Sequence, residues 1–199
     1  MVLTAFTNYF TNYFAMGVIA VIISMYYETN NNDLIYVEST SDNRKYLVRN
    51  LPDKNKSSNM MAKIRENLVT IRDYMSTNHS NDPRTTRLVK KFNPQNIMET
   101  EKGSKYTSYS INKGEKLVFC LRAKDGTDKL TDINTITFVA LHELSHILTE
   151  SIGHTPEFWE NFKFILKMGV KLGIYKKVDY SINPKEYCGM NVTDSPLTN

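Results

Sequence analysis

Histidine is scarce in this chain: four occur in 199 residues, beside two cysteines and a single tryptophan. Charge is missing altogether from the start, because no Asp, Glu, Lys or Arg precedes Glu28. Each shortage removes a class of reading. Two isolated cysteines, Cys120 and Cys188, make no disulfide framework, and without a CxxC pair they make no zinc ribbon. They read as two buried small hydrophobes. The net charge is only +4, with basic residues scattered in short pairs such as Lys90-Lys91 and Lys176-Lys177. No basic stripe is interleaved with aromatics, so there is no clear nucleic-acid surface. Hydrophobic residues make up 41% of the chain and charged residues 23%, the balance of a folded protein long enough for one domain with a real core. Nothing in the sequence sets an oligomeric state.

The uncharged beginning poses a separate question. The stretch FAMGVIAVIISMYY at Phe14–Tyr27 is apolar apart from Ser24 and is too short alone for a ~30 Å hydrocarbon core. Read as one helix, Ala5–Tyr27 is long enough, with Tyr9, Tyr13, Tyr26 and Tyr27 near its ends as an aromatic belt requires. A signal peptide wants a basic start and a small-residue cleavage site, and an interfacial helix wants Lys or Arg on its polar face. Neither is present. A buried core helix is the remaining rival, since Thr7, Asn8, Thr11 and Asn12 are many polar side chains for lipid. The expectation is a transmembrane helix with membrane contact through residues 5–27: an anchor at 1–28, a polar linker at 29–33 and a domain at 34–199. Arg44 and Lys45 follow the span and nothing basic precedes it, which places the C-terminal domain on the cytoplasmic side of a single-pass arrangement.

Within 34–199 the pattern mixes strands and helices, an α+β fold class. LIYVE at Leu34–Glu38 and YLVRNL at Tyr46–Leu51 read as strands. Met61, Ile64, Leu68, Ile71 and Met75 recur at helical spacing and mark the core face of a helix over Ser58–Met75. Thr86–Phe92 suits a short helix. YTSYSI, NKGE and KLVFCLR read as a hairpin, with Gly114 free to take a positive φ in the turn. Thr131 or Asp132 caps a helix over Ile133–Glu150, whose inward stripe is Ile133, Ile136, Ala140, Leu144 and Ile147. Ser151–Gly153 breaks it, and Thr155, Pro156 and Glu157 restart a helix in the order of N-cap, first turn and dipole partner. The tail after Tyr175 shows no period and reads as loop.

Three of the four histidines fall within LHELSHILTESIGHTPEFW at Leu141–Trp159. His142 and His146 are four apart, so a helix places both imidazoles on one face, one turn apart, where they can share one zinc ion. Glu143 stands beside the first, placed to act as general acid/base on a water at the open side of the metal. A catalytic site needs a third protein ligand and an open position. His154 is favoured, because Gly153 lets the chain turn back; Glu150 and Glu157 are its rivals. His79, in a polar turn, reads as exposed and idle.

HELSH…GH…EFW resembles the zincin metallopeptidases of the SprT-like and WLM groups, in which a histidine four residues before an aromatic supplies the third ligand. His154 and Phe158 stand at that offset. VFCLR, DINTITFVALHELSHI and EYCGM also resemble an uncharacterised family of metallopeptidase-like proteins from large nucleocytoplasmic DNA viruses. The resemblance implies a zincin-like domain, one Zn2+ ion and a polypeptide substrate, and the expected anchor would confine activity to one viral or host membrane. It further implies a substrate-binding edge strand, for which Leu117, Val118 and Phe119 are candidates, with buried core as the competing reading. An oxyanion donor is implied too, with Tyr175, Tyr180 and Tyr187 as candidates. Two other readings stay open: a non-catalytic, zinc-stabilised membrane or structural protein, and a soluble DNA-associated protease of the SprT-like type.

Overall fold

The chain divides into two units, Met1–Asp33 and Leu34–Asn199. The structure is a computed structural model and describes residues 14–25 and 33–198. In the first unit, residues 14–25 form a helix, α1. At 1.5 Å per residue it rises about 18 Å, against a hydrocarbon core of about 30 Å. No helix among the described residues is long and apolar enough to cross a membrane. The expected transmembrane helix, and the single-pass cytoplasmic-side placement built on it, are corrected on that ground. The remainder of the stretch 5–27, residues 5–13 and 26–27, lies outside the described residues.

The second unit is a mixed α+β arrangement. β1 (Leu34–Glu38) and β2 (Lys45–Arg49) pair antiparallel, with Leu34 opposite Arg49 and Glu38 opposite Lys45. α2 (Lys54–Asn78) packs on β1, β2 and β3 and also meets the other helices of the unit. Its stripe of Met61, Ile64, Leu68, Ile71 and Met75 is wholly buried, as the spacing predicts. α3 (Pro83–Lys91) starts earlier than expected, because Asp82 caps it by accepting from the Arg84 amide and Pro83 suits its first turn.

A strand not expected from the sequence, β3 (Ile97–Glu99), lies parallel to β2 and to β5 (Lys116–Phe119). Three residues are too few to carry a period. β4 (Tyr109–Ile111) pairs antiparallel with β5 as the expected hairpin. In the turn Gly114 takes φ 111°, and a Cβ there would lie 2.8 Å from both the Lys91 carbonyl oxygen and Ile147 Cδ1. Only glycine fits such an approach.

The sheet order is β1-β2-β3-β5-β4, so β5 is an inner strand. That corrects the expectation for Leu117, Val118 and Phe119. Leu117 and Val118 are paired on both sides and Phe119 with Glu99 of β3, all three side chains are buried, and an inner strand cannot accept a substrate strand. The outer strand on the cleft side is β4.

After α4 (Ile133–Leu148) and α5 (Pro156–Lys171) the chain ends in a second, two-stranded sheet, β6 (Lys185–Tyr187) with β7 (Met190–Val192), where the sequence reads as loop. The tip of this hairpin is held by a Cys120–Cys188 disulfide. Both cysteines are buried, as expected, but they are partners and not independent hydrophobes. Spacing alone could not reveal the pairing, because 68 positions separate them and the tail must fold back to the end of β5. Closing a loop of that length removes roughly 4 kcal/mol of chain entropy from the unfolded state. The double substitution Cys120→Ser, Cys188→Ser is expected to lower unfolding free energy by about that amount. Urea titration with and without a thiol reductant checks it, and wild type should move to the variant's midpoint when reduced.

Candidate metal centre

Asp132 opens α4 by accepting from the Thr135 amide at 2.9 Å and the Thr135 hydroxyl at 2.7 Å. From Thr135 to Leu148 every residue is buried except His142 and His146. Ile136, Ala140, Leu144 and Ile147 turn inward against α2, α3 and α5, while Ile133, at the exposed first position, leaves the predicted stripe. The helix therefore meets open space through two imidazoles one turn apart.

The loop from Thr149 to Thr155 brings in the third ring. Its backbone is held by two charges of opposite sign. Lys113, from the β4–β5 turn, donates to the carbonyls of Thr149 at 2.6 Å, Glu150 at 2.7 Å and Ser151 at 3.0 Å. The Glu157 carboxylate accepts from the amides of Glu150 at 2.8 Å and Ser151 at 3.1 Å and from the Ser151 hydroxyl at 2.8 Å. Gly153 takes φ 84°, the left-handed turn expected of it. Thr155 caps α5 and Pro156 occupies its first turn, so His154 is fixed just ahead of a helix start.

The outcome is a near-equilateral triangle of rings. Centroids lie 5.0 Å apart for His142–His146, 4.9 Å for His142–His154 and 5.0 Å for His146–His154. One ligand nitrogen from each lies within 4.8 Å of the others, and the Nε2 atoms of His142 and His154 are 3.1 Å apart. Nitrogens at ~2.0–2.1 Å from a tetrahedral zinc are about 3.3–3.4 Å from one another, a spacing that the His142–His154 pair approaches, and three imidazoles are a donor set that zinc accepts. Phe158, fully buried, is the floor: it stacks on His146 at 4.3 Å and meets His142 at 4.8 Å and His154 at 4.7 Å. The aromatic four residues after the third histidine thus supports all three rings.

The rival ligands are engaged elsewhere. Glu150 pairs with Arg87, and Glu157 receives the loop amides. His79 stands at the C-terminal end of α2, half-buried against Phe164, apart from the triangle.

Burial sets the charge states. It holds His142 down to about 3, helped by the neighbouring His146 and His154, and His146 down to about 4, helped by His154 and Lys113. Both rings are neutral near pH 7, the form that ligates metal. Glu143 is buried beside them, and desolvation pushes its carboxyl up to about 8. A carboxyl in that range can both take and return a proton near neutral pH.

These groups open into a cleft of about 530 Å³ lined by Ser108, Tyr109 and Ser110 at β4, Val139 and Glu143 on α4, and the β6–β7 hairpin. Of the three tyrosines considered as donors, Tyr175 and Tyr180 lie against Phe138 in the core. Tyr187 lines the cleft, with its hydroxyl 2.5 Å from the Ser108 hydroxyl. Burial raises its phenol above the ordinary tyrosine range, so it remains protonated. Lys113 is a site residue with no local sequence signal, because a lysine in a hairpin turn does not announce carbonyls 36 to 38 positions away.

An open histidine triangle with a buried carboxyl beside it, in an α+β domain, defines a metallopeptidase-like protein. The chain belongs to the WLM domain family, whose model matches residues 40–183. That family is zinc-dependent in general. The chain is 31% identical over 186 residues to the uncharacterized protein R325 of Acanthamoeba polyphaga mimivirus, covering 92% of this chain and 93% of that protein. It is 32% identical over 114 residues to the uncharacterized protein 136R of Invertebrate iridescent virus 6, covering 55% and 61% respectively. Among solved structures it is similar to Wss1 from Saccharomyces cerevisiae, with 20% identity, a TM-score of 0.49, and coverage of 63% of this chain and 87% of that one.

Lys113→Met leaves three carbonyls of the histidine loop without their charged donor. Loss of about 1.5–3 kcal/mol of stability is expected. Amide exchange should show lowered protection confined to residues near 149–155.

Proposed function

We propose that the chain is a zinc-dependent peptidase in which His142, His146 and His154 hold the ion and Glu143 is the general acid/base. The observation that carries this reading is the convergence of three imidazoles on one point, with two of them held neutral by burial and a buried carboxyl on the adjoining helix position. Zinc bound there supplies Lewis acidity, polarising a carbonyl and lowering the pKa of water toward ~7.

The chain's own residues divide the remaining work. Glu143, buried beside His142, accepts the proton of the attacking water and returns it to the leaving amine nitrogen. β4, the outer strand beside the cleft, offers its free backbone edge to an extended polypeptide, which adds as a further strand. Phe158 keeps water from beneath the rings and fixes their tilt. Tyr187, protonated and facing the cleft, is the hydroxyl in place to meet a carbonyl oxygen as charge develops on it.

The test is Glu143→Gln. Zinc content by mass spectrometry should stay near one ion per chain, while hydrolysis of a fluorescently labelled unfolded protein falls by roughly 10²–10⁴-fold. Equal turnover by wild type and variant would sink the assignment of Glu143. His154→Ala should instead lose the ion itself, and retention of full zinc affinity there would remove the third ligand.

A further inference from the structure

The β6–β7 hairpin is built in two faces. Tyr187 is opposite Met190 and Lys185 is opposite Val192, and cross-strand partners point the same way. Tyr187, Met190 and Val192 all line the cleft, while Glu186 and Asn191, paired with each other, point the other way. Lys185 shares the first face by register but is exposed at the open end of the hairpin and does not line the cleft, so the part of that face turned to the cleft is apolar while the opposite face is polar. Yet Met190 is 52% exposed on that face, so its neighbours in the protein leave it uncovered.

Among the described residues the hairpin pairs only with itself, and a lone two-stranded ribbon is marginal in water. Its tip is the two-residue turn Cys188-Gly189, with φ 52° and 78°. The tip is bonded through Cys188 to Cys120 at the end of β5. A second tie joins Tyr187 to Ser108 at 2.5 Å. Both ties hold the hairpin at the cleft, which is also lined by Val139 of α4, one turn before Glu143.

We propose that this hairpin is the specificity wall of the cleft: Met190 and Val192, with Val139, form a subsite for one large apolar side chain of the polypeptide, and the Cys120–Cys188 bridge holds the wall in place. The inference rests on the peptidase reading for its place in a reaction, but binding tests it separately. The chemistry is non-directional burial, so the subsite accepts Leu, Ile, Met or Phe and rejects a charge. Discrimination of about 10–200-fold is the range such a pocket reaches.

Two measurements decide it. In the first, wild type cuts a randomised peptide library and the products are sequenced by mass spectrometry. One position relative to the cut should be enriched in large apolar residues, and Met190→Lys should shift that position toward Glu and Asp at unchanged zinc content. Cutting without apolar preference at any position would overturn the subsite and leave the peptidase standing. In the second, zinc-loaded Glu143→Gln protein is immobilised and the same library is passed over it. Apolar peptides should be retained, and Met190→Lys should abolish their retention. If wild type cuts nothing but retention behaves this way, the subsite stands and the peptidase reading fails. If retention is indifferent to Met190, the subsite fails. Loss of the apolar preference in Cys120→Ser, Cys188→Ser, with zinc content unchanged, supports the clamp; an unaltered preference overturns it.

Discussion

The site depends on the burial of α4. Covered on nearly every side, this helix has few positions open to solvent, and its other polar side chains are bonded within the protein, Thr137 to Asn67 and Ser145 to the Leu141 carbonyl. His142, Glu143 and His146 occupy the window onto the cleft, two at its mouth and one behind it. Burial then fixes their chemistry as well as their direction. Imidazoles held well below their usual pKa are ready ligands, and a carboxyl held above its own is a group that can exchange a proton near neutrality. The same desolvation that packs the core tunes the site.

The third histidine comes from outside the helix and needs its own support. A helix end and the loop beyond it leave backbone carbonyls and amides without partners. Here Lys113 takes the carbonyls and Glu157 takes the amides. Neither is a ligand, and each answers one half of the loop's unpaired backbone. The arrangement ties the loop of His154 to the distant β4–β5 turn and to the adjoining first turn of α5. Their separation is set in turn by the close approach at Gly114 and the stacking of Phe158.

What could be read from the sequence follows from distance along the chain. The spacing of His142 and His146, the cap at Asp132, the turn at Gly153 and the restart at Thr155-Pro156 are local, and each stands where its residues put it. The buried stripe of α2 is likewise a local period. The pairing of Cys120 with Cys188, the reach of Lys113 and the tail hairpin join distant segments, and no short window holds both halves. The run Leu117–Phe119 is a strand, and of its two competing readings, substrate-binding edge and buried core, the structure has the second. Its unbroken apolar character is the mark of a strand covered on both faces, and the neighbour that encloses it, β3, is too short to announce itself. The apolar stretch near the N-terminus reaches a spanning length only when Thr7, Asn8, Thr11 and Asn12 are counted with it, and the described helix, residues 14–25, is too short to cross a membrane.

One buried polar cluster explains why the far end of the sheet is firm enough to carry a wall of the cleft. Arg122 uses all five of its donors: to Glu99 at 2.9 Å, to Asp53 at 2.7 and 3.0 Å, to the Asp128 carbonyl at 2.8 Å and to Ser57 at 2.7 Å. Glu99, fully buried on β3, accepts from Arg122 with one oxygen and from the Arg49 amide of β2 with the other. Burial pushes its carboxyl upward while the arginine contacts pull it back. A hydrophobic replacement could equal such a cluster in stability, because desolvating the charges consumes much of what their attraction returns. What apolar side chains would not reproduce is direction. The fork of Arg122 fits one placement of β3 against the residues that follow β5 and against the start of α2. Cys120, two residues before Arg122, therefore has a fixed position from which to hold Cys188. The wall of the cleft is secured through the disulfide to β5, and β5 is secured through one guanidinium to the rest of the sheet.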